Sequence, residues 1–174
     1  MLQQLIDLIL QFLDDVKPFE IIPHYDRGVR LRLGKQVSNT LEPGLYWKIP
    51  FVDKILTVQV KPTTMSLAEQ TITTKDGQSI VVKAVVKYEI DDAPTLILEV
   101  NDSLDAISDM VKGIIRKELI EVDWKDCNSP EIEAKIKRRS KAEAKKWGIS
   151  VLEVTLTDLG LMRSIRILNS VDTI

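Results

Sequence analysis

With 174 residues the chain has room for one domain with a substantial core plus terminal appendages, and 44% apolar and 29% charged residues are ordinary for a soluble globular fold. A net charge of −2 argues against whole-chain binding to nucleic acid. One cysteine, Cys127, excludes an internal disulfide and points to a reducing compartment, while a single histidine, His24, excludes a Cys/His metal cluster.

The first segment, MLQQLIDLILQFLDDV, sorts cleanly at helical period. Leu2, Leu5, Ile6, Leu8, Ile9, Phe12, Leu13 and Val16 share one side, and Gln3, Gln4, Asp7, Gln11, Asp14 and Asp15 the other. A helix of this length covers about 24 Å, short of the roughly 30 Å of bilayer hydrocarbon, and spanning would bury its aspartates. The pattern therefore predicts an in-plane amphipathic helix over residues 1–17, ended by Pro18. No basic n-region or cleavage site marks a secretory signal, and no run approaches the roughly 20 apolar residues of a membrane span. Two occupants suit the apolar side, a lipid surface or a protein partner. The acidic polar side gives no help with anionic lipid.

Strands follow. Val29, Leu31 and Leu33 alternate with Arg30 and Arg32, and Pro43-Gly44 predicts a type II turn. After it, Leu45, Trp47 and Ile49 alternate with Tyr46 and Lys48; Trp47 is expected in the core, with Tyr46 and Phe51 facing a bilayer surface. Leu56, Val58 and Val60 form another alternating run. Asp76-Gly77 signals a hairpin leading into the clearest strand, where Ile80, Val82, Ala84, Val86, Tyr88 and Ile90 face one way.

The second half is helical. Asp102 or Ser103 caps a helix with Leu104, Ile107, Val111, Ile114 and Ile115 on one face. A second helix starts at Ser129-Pro130-Glu131 and stops at Gly148, an αL cap. A last strand places Leu152, Val154 and Leu156 on one face, and residues 161–174 read as a short helical tail. The order implies α+β, with helices packed on a mostly antiparallel twisted sheet.

Few residues invite chemistry. His24 and Cys127 fit a base and a nucleophile, but Cys127 lies in a polar turn, DWKDCNS, where a free surface cysteine is the simpler expectation. Asp14-Asp15 and Asp91-Asp92 read as solvated caps and turns, and no phosphate-cradling glycine loop is present. No catalytic residue, metal or cofactor is expected. Two stretches are locally basic, each with a balance of +4. Residues 131–146 read as a solvated helix face. Residues 24–62 follow the amphipathic segment, so Arg27, Arg30, Arg32 and Lys48 become candidates for lipid-headgroup contact.

Four blocks in order, RGVRLRLGK, LEPGLYWKIPFVDKI, TITTKDGQSIVVKAVVKYEI and KKWGISVLEVTLTDL, resemble the SPFH domain, or Band 7, of the stomatin, prohibitin, flotillin and HflK/C group, over about residues 19–160. The resemblance implies a non-enzymatic, membrane-associated scaffold, peripheral or monotopic on a cytoplasmic membrane face. It implies a homo-oligomeric ring or co-assembly with a longer homologue, and a membrane protease or channel as partner. It also implies that Gly28, Gly34, Pro43, Gly44, Pro50, Asp76, Gly77 and Gly148 hold turns and caps. The group's members usually carry an N-terminal membrane segment and a long C-terminal coiled coil; an amphipathic helix stands in the first place here. The alternative expectation is a soluble oligomeric regulatory module whose N-terminal helix docks on a protein.

Overall fold

A computed structural model describes residues 18–162; the amphipathic segment 1–17 and the tail from residue 163 lie outside the described residues. Its organising element is β8 (Ser79–Ile90), a twelve-residue strand in which Ile80, Val82, Ala84, Val86 and Tyr88 are buried in alternation, as the period-two pattern predicts. Along one edge run β6 (Thr63–Ser66) and β7 (Gln70–Thr73), and along the other β9 (Ile149–Leu161), all antiparallel to β8. The Asp76-Gly77 hairpin joins β7 to β8. Asp76 there accepts from the Thr74 hydroxyl and, at 3.3 Å, from the Trp124 N–H.

Strand β9 departs from simple alternation. Ile90 pairs with Ile149, Tyr88 with Val151, Val86 with Val154, Ala84 with Leu156, Val82 with Leu159 and Ile80 with Leu161. Register shifts leave Leu152 and Thr157 without a partner on β8. Each bulge resets the phase, so an apolar residue of β9 meets every inward residue of β8. The expected face of Leu152, Val154 and Leu156 is thus corrected at Leu152, and Leu161, expected in a helical tail, is the last residue of the strand.

Helices cover this sheet. α1 (Ala93–Glu99) begins at Asp92, whose carboxylate accepts from Thr95 N, with a proline in its first turn. α2 (Ser103–Ile120) buries Ile107, Val111, Ile114, Ile115 and Leu119, whereas Leu104, expected on that face, is 57% exposed at the rim of an open cleft of about 320 Å³. Asp102 precedes α2 in the left-handed region without a side-chain cap bond. α3 (Pro130–Ala144) is capped by Ser129 as expected and packs Ile132, Ile136 and Ala144 into the shared core. The chain then turns at Gly148, φ 72°, whose carbonyl accepts from Asp91 and Asp92. A Cβ there would stand 2.5 Å from the Asp92 carbonyl oxygen, so only glycine fits.

Two smaller sheets sit beside this core. β2 (Asp26–Arg32) pairs antiparallel with β3 (Lys35–Gln36) and with β5 (Asp53–Gln59), and α1 packs across β2 and β5. β1 (Phe19–Ile22) and β4 (Gly44–Trp47) form an antiparallel ribbon. Gly44 has φ 155° and pairs with Ile22, so Pro43-Gly44 opens a strand and is not the expected type II turn, which needs about +80°.

Candidate membrane-contact surface

The ribbon has two unlike faces. Its register sets Phe19 against Trp47 and Ile21 against Leu45 on one side, and Glu20 against Tyr46 and Ile22 against Gly44 on the other. Ile22 is 2% exposed and fixes the inward side. It lies so close over β2 that a Cβ on Gly28 would be 3.0 Å from its terminal methyl, which explains a glycine in mid-strand. The outward four are all apolar and all exposed: Phe19 49%, Ile21 72%, Leu45 65% and Trp47 59%. Phe19 and Trp47 stack edge to face at 4.7 Å.

This reverses the expected orientation of the segment. Trp47 is not core. Alternation separated the correct sets of residues, but nothing in the period says which set is covered; the seating of Ile22 against Gly28 decides it. Tyr46 takes the half-buried inner side, with Arg30 at 6.0 Å over its ring, and Arg30 also donates to the Trp47 carbonyl at 2.9 Å.

Further exposed apolar residues follow the ribbon in the chain. Ile49 is 43% exposed, and Phe51 is 84% exposed at the tip of the β4–β5 loop. Beside it, at the β2–β3 turn, stands Leu33, 78% exposed and tied to that loop by its N–H to the Val52 carbonyl at 2.9 Å. Leu33 and Phe51 both hold positive φ, 49° and 65°, conformations unfavourable for side chains of this kind. Asp53 holds the loop in place. Its buried carboxylate accepts from Arg32 Nε at 2.7 Å, from the second Arg32 nitrogen at 3.1 Å and from Ile49 N at 3.1 Å. Those bonds, Arg32 first and Ile49 second, draw its pKa down to about 2.

The cations named as headgroup contacts are each engaged within the chain. Arg27 pairs with Glu42 at 3.1 Å, Arg32 with Asp53, and Lys48 with Glu20 at 2.5 Å, while Arg30 lies over Tyr46. Lys35 and Lys54, which sequence reasoning did not single out, are exposed and outside every ion pair among the described residues. They flank the Leu33 and Phe51 loops, because β2 pairs Arg32 with Lys35 and Leu31 with Lys54.

The other candidates lie elsewhere. Cys127 is fully buried, which corrects the expected surface cysteine: the turn is polar, but its Sγ points inward and donates to the Asp123 carbonyl at 3.4 Å. Burial, then Asp76 and the other nearby carboxylates, push the thiol pKa up. His24 is exposed and stacks edge to face on Tyr25. Nothing joins the two. The basic helix is half spent internally: Lys135 and Arg139 flank Glu118, buried on α2, while Lys137, Arg138, Lys141 and Lys145 remain exposed.

The mixed α+β fold is consistent with the family that the chain's sequence matches. The chain belongs to the SPFH domain / Band 7 family, whose profile matches residues 20–167. It is 29% identical to an uncharacterized protein of Archaeoglobus fulgidus over 164 residues, covering 93% of this chain and 64% of that relative. Stomatin-1 of Caenorhabditis elegans is 27% identical over 144 residues, 82% of this chain and 44% of its own length. Protein HflK of Haemophilus influenzae is 30% identical over 101 residues, 58% of this chain and 24% of its own. The chain thus spans less than two thirds of each of these three relatives. No helix among the described residues is long and apolar enough to cross a membrane.

Proposed function

We propose that this chain is a non-enzymatic scaffold that lies on a membrane surface, oligomerises there, and organises or regulates membrane proteins or lipids. The observation that carries this is the outward apolar surface of Phe19, Ile21, Leu45, Trp47, Ile49 and Phe51, which begins where segment 1–17 ends. Exposed apolar groups grouped this way mark interaction sites. Aromatic rings at such a surface suit the headgroup level. Lys35 and Lys54, in no ion pair among the described residues, supply positive charge beside it and are a better source of headgroup contact than Arg27, Arg32 or Lys48, which are ion-paired within the chain, or Arg30, which is held against Tyr46 and the Trp47 carbonyl. Leu2, Leu5, Ile6, Leu8, Ile9, Phe12 and Leu13 extend the apolar contact, and Tyr46 backs it from within. Family membership supports a homo-oligomeric ring, or co-assembly with a longer homologue, and a membrane protease or channel as partner on a cytoplasmic membrane face.

Co-sedimentation with vesicles of neutral and anionic phospholipid tests this reading. The full chain is expected in the pellet, and Leu5→Asp with Ile9→Asp in the supernatant, since burying carboxylates in an apolar interface costs several kcal/mol. Equal pelleting of both removes the segment from the mechanism. A second reading, a soluble oligomeric module with segment 1–17 docked on a protein partner, draws on the internal pairing of three cations and the ring contact of a fourth, Arg30. It is favoured if the chain forms a stable oligomer and ignores both vesicle types.

A further inference from the structure

We propose that the exposed face of α2 is a contact between two copies of this chain, which pack antiparallel across a twofold axis and cross near Gly113. The contact belongs to the lipid-free protein and stands independently of the membrane reading.

The first observation is a glycine with no use inside the fold. Gly113 lies in the middle of the eighteen-residue α2, where glycine weakens a helix relative to alanine. Its backbone is helical, it is exposed, and a Cβ there would meet nothing within 4 Å. No turn or internal packing among the described residues calls for it. A helix surface bare of a side chain at mid-length does let a second helix approach closely.

The second is charge. At 100° per residue, Asp105, Asp109, Gly113, Arg116, Lys117 and Ile120 share an arc of about 120°, and all are exposed. The face is acidic toward its N-terminal end and basic toward its C-terminal end. Asp109 pairs with Lys112 at 2.7 Å, whereas Asp105, Arg116 and Lys117 are in no ion pair among the described residues. This polarity suits the helix's own dipole, which leaves Gly113 unaccounted for. It also makes the face complementary to itself when two helices run antiparallel. In that arrangement Asp105 of each copy faces Lys117 of the other, and Asp109 passes over the bare Gly113. Parallel packing would set like charges side by side.

The occupant follows from this match, because the same residues supply both halves of an isologous contact. Such a pair closes on itself and is distinct from a contact that builds a ring. A helix face about 27 Å long and 10 Å wide offers less than the roughly 800 Å² per partner of a standard interface, so the pair is expected to be weak and concentration-dependent.

Carbodiimide cross-linking of the full-length, lipid-free chain tests the contact, with isotope-labelled and unlabelled protein mixed and the products read by mass spectrometry. The reagent joins a carboxylate to an amine only where the two touch. Asp105 and Lys117 stand about 18 Å apart along one helix, so a bond between them forms only between copies. The wild type is expected to give an Asp105–Lys117 cross-link between labelled and unlabelled chains, with a yield that rises with concentration. Gly113→Leu fills the crossing and is expected to lower the yield at least tenfold. Its helical circular dichroism and melting temperature should be no lower than the wild type's, since leucine is the better helix former. Asp105→Lys chains, and chains with Arg116→Glu and Lys117→Glu, are each expected to lose the self-dimer by native mass spectrometry. Mixed together they are expected to pair, because mixing restores opposite charges at both ends of the crossing. Absence of the cross-link between copies, its survival in Gly113→Leu, or failure of the mixed variants to pair overturns the proposal. A face covered by another segment or another protein gives the first of these results. With no lipid present, failure of vesicle binding leaves the outcome untouched.

Discussion

Asp53 shows how one side chain presents the surface. Two strands meet at its carboxylate, which takes Arg32 from β2 and the Ile49 N–H from the loop that carries Phe51. Its pKa falls from the ordinary 3.8 to about 2, so the folded state favours the ionised form. A depressed carboxylate contributes stability in full above the ordinary value and loses it as pH falls toward the folded one. Asp53→Asn is therefore expected to melt below the wild type at pH 7 in a calorimetric pH series, with the gap narrowing between pH 3.8 and about 2. A gap that stays constant or widens on acidification contradicts this role. None of it was legible in the sequence, where Asp53 counted only as one acid among several cations. A hydrogen bond between β2 and β5, 21 residues apart in the chain, has no local signal.

At the scale of elements, pattern carried far where one face was plainly buried. The inward residues of β8 and the cap and stop of α3 follow from alternation and from Ser129-Pro130 and Gly148. It failed where tertiary geometry chose between equivalent readings. The bulges at Leu152 and Thr157 shift phase without any glycine or proline to announce them, and the ribbon turned its other face outward. α1 is seven residues long and went unread, although Asp92 followed by Pro94 is a start signal. α2 and α3 meet through Glu118, fully buried, with Lys135 Nζ at 2.6 Å and Arg139 on its other oxygen. Neither oxygen has an aligned hydrogen-bond donor, so ionic contact alone offsets its desolvation. Lys135→Ala with Arg139→Ala leaves a buried, unpaired carboxylate and is expected to cost about 3 kcal/mol by urea denaturation, whereas Glu118→Leu is expected to be near neutral. If Glu118→Leu is the more damaging, the pair contributes more than it costs to bury.

For the whole molecule, the α+β organisation was readable because hairpin signals preceded two helices and a last strand, and the four ordered blocks pointed to the family that the profile match establishes. The surface was only partly readable: its residues were in view, but the outward side was not. The proposed membrane contact requires that Trp47 meet lipid. Emission of the full chain on vesicles with bromine high on the acyl chains measures this, since bromine quenches only tryptophans at that depth. Trp124 and Trp147 pack against the core and should report little. Strong quenching in the wild type that is lost in Trp47→Phe is the predicted result. Vesicle-bound protein with no quenching, or quenching unchanged in Trp47→Phe, would contradict the assignment of this face to the membrane.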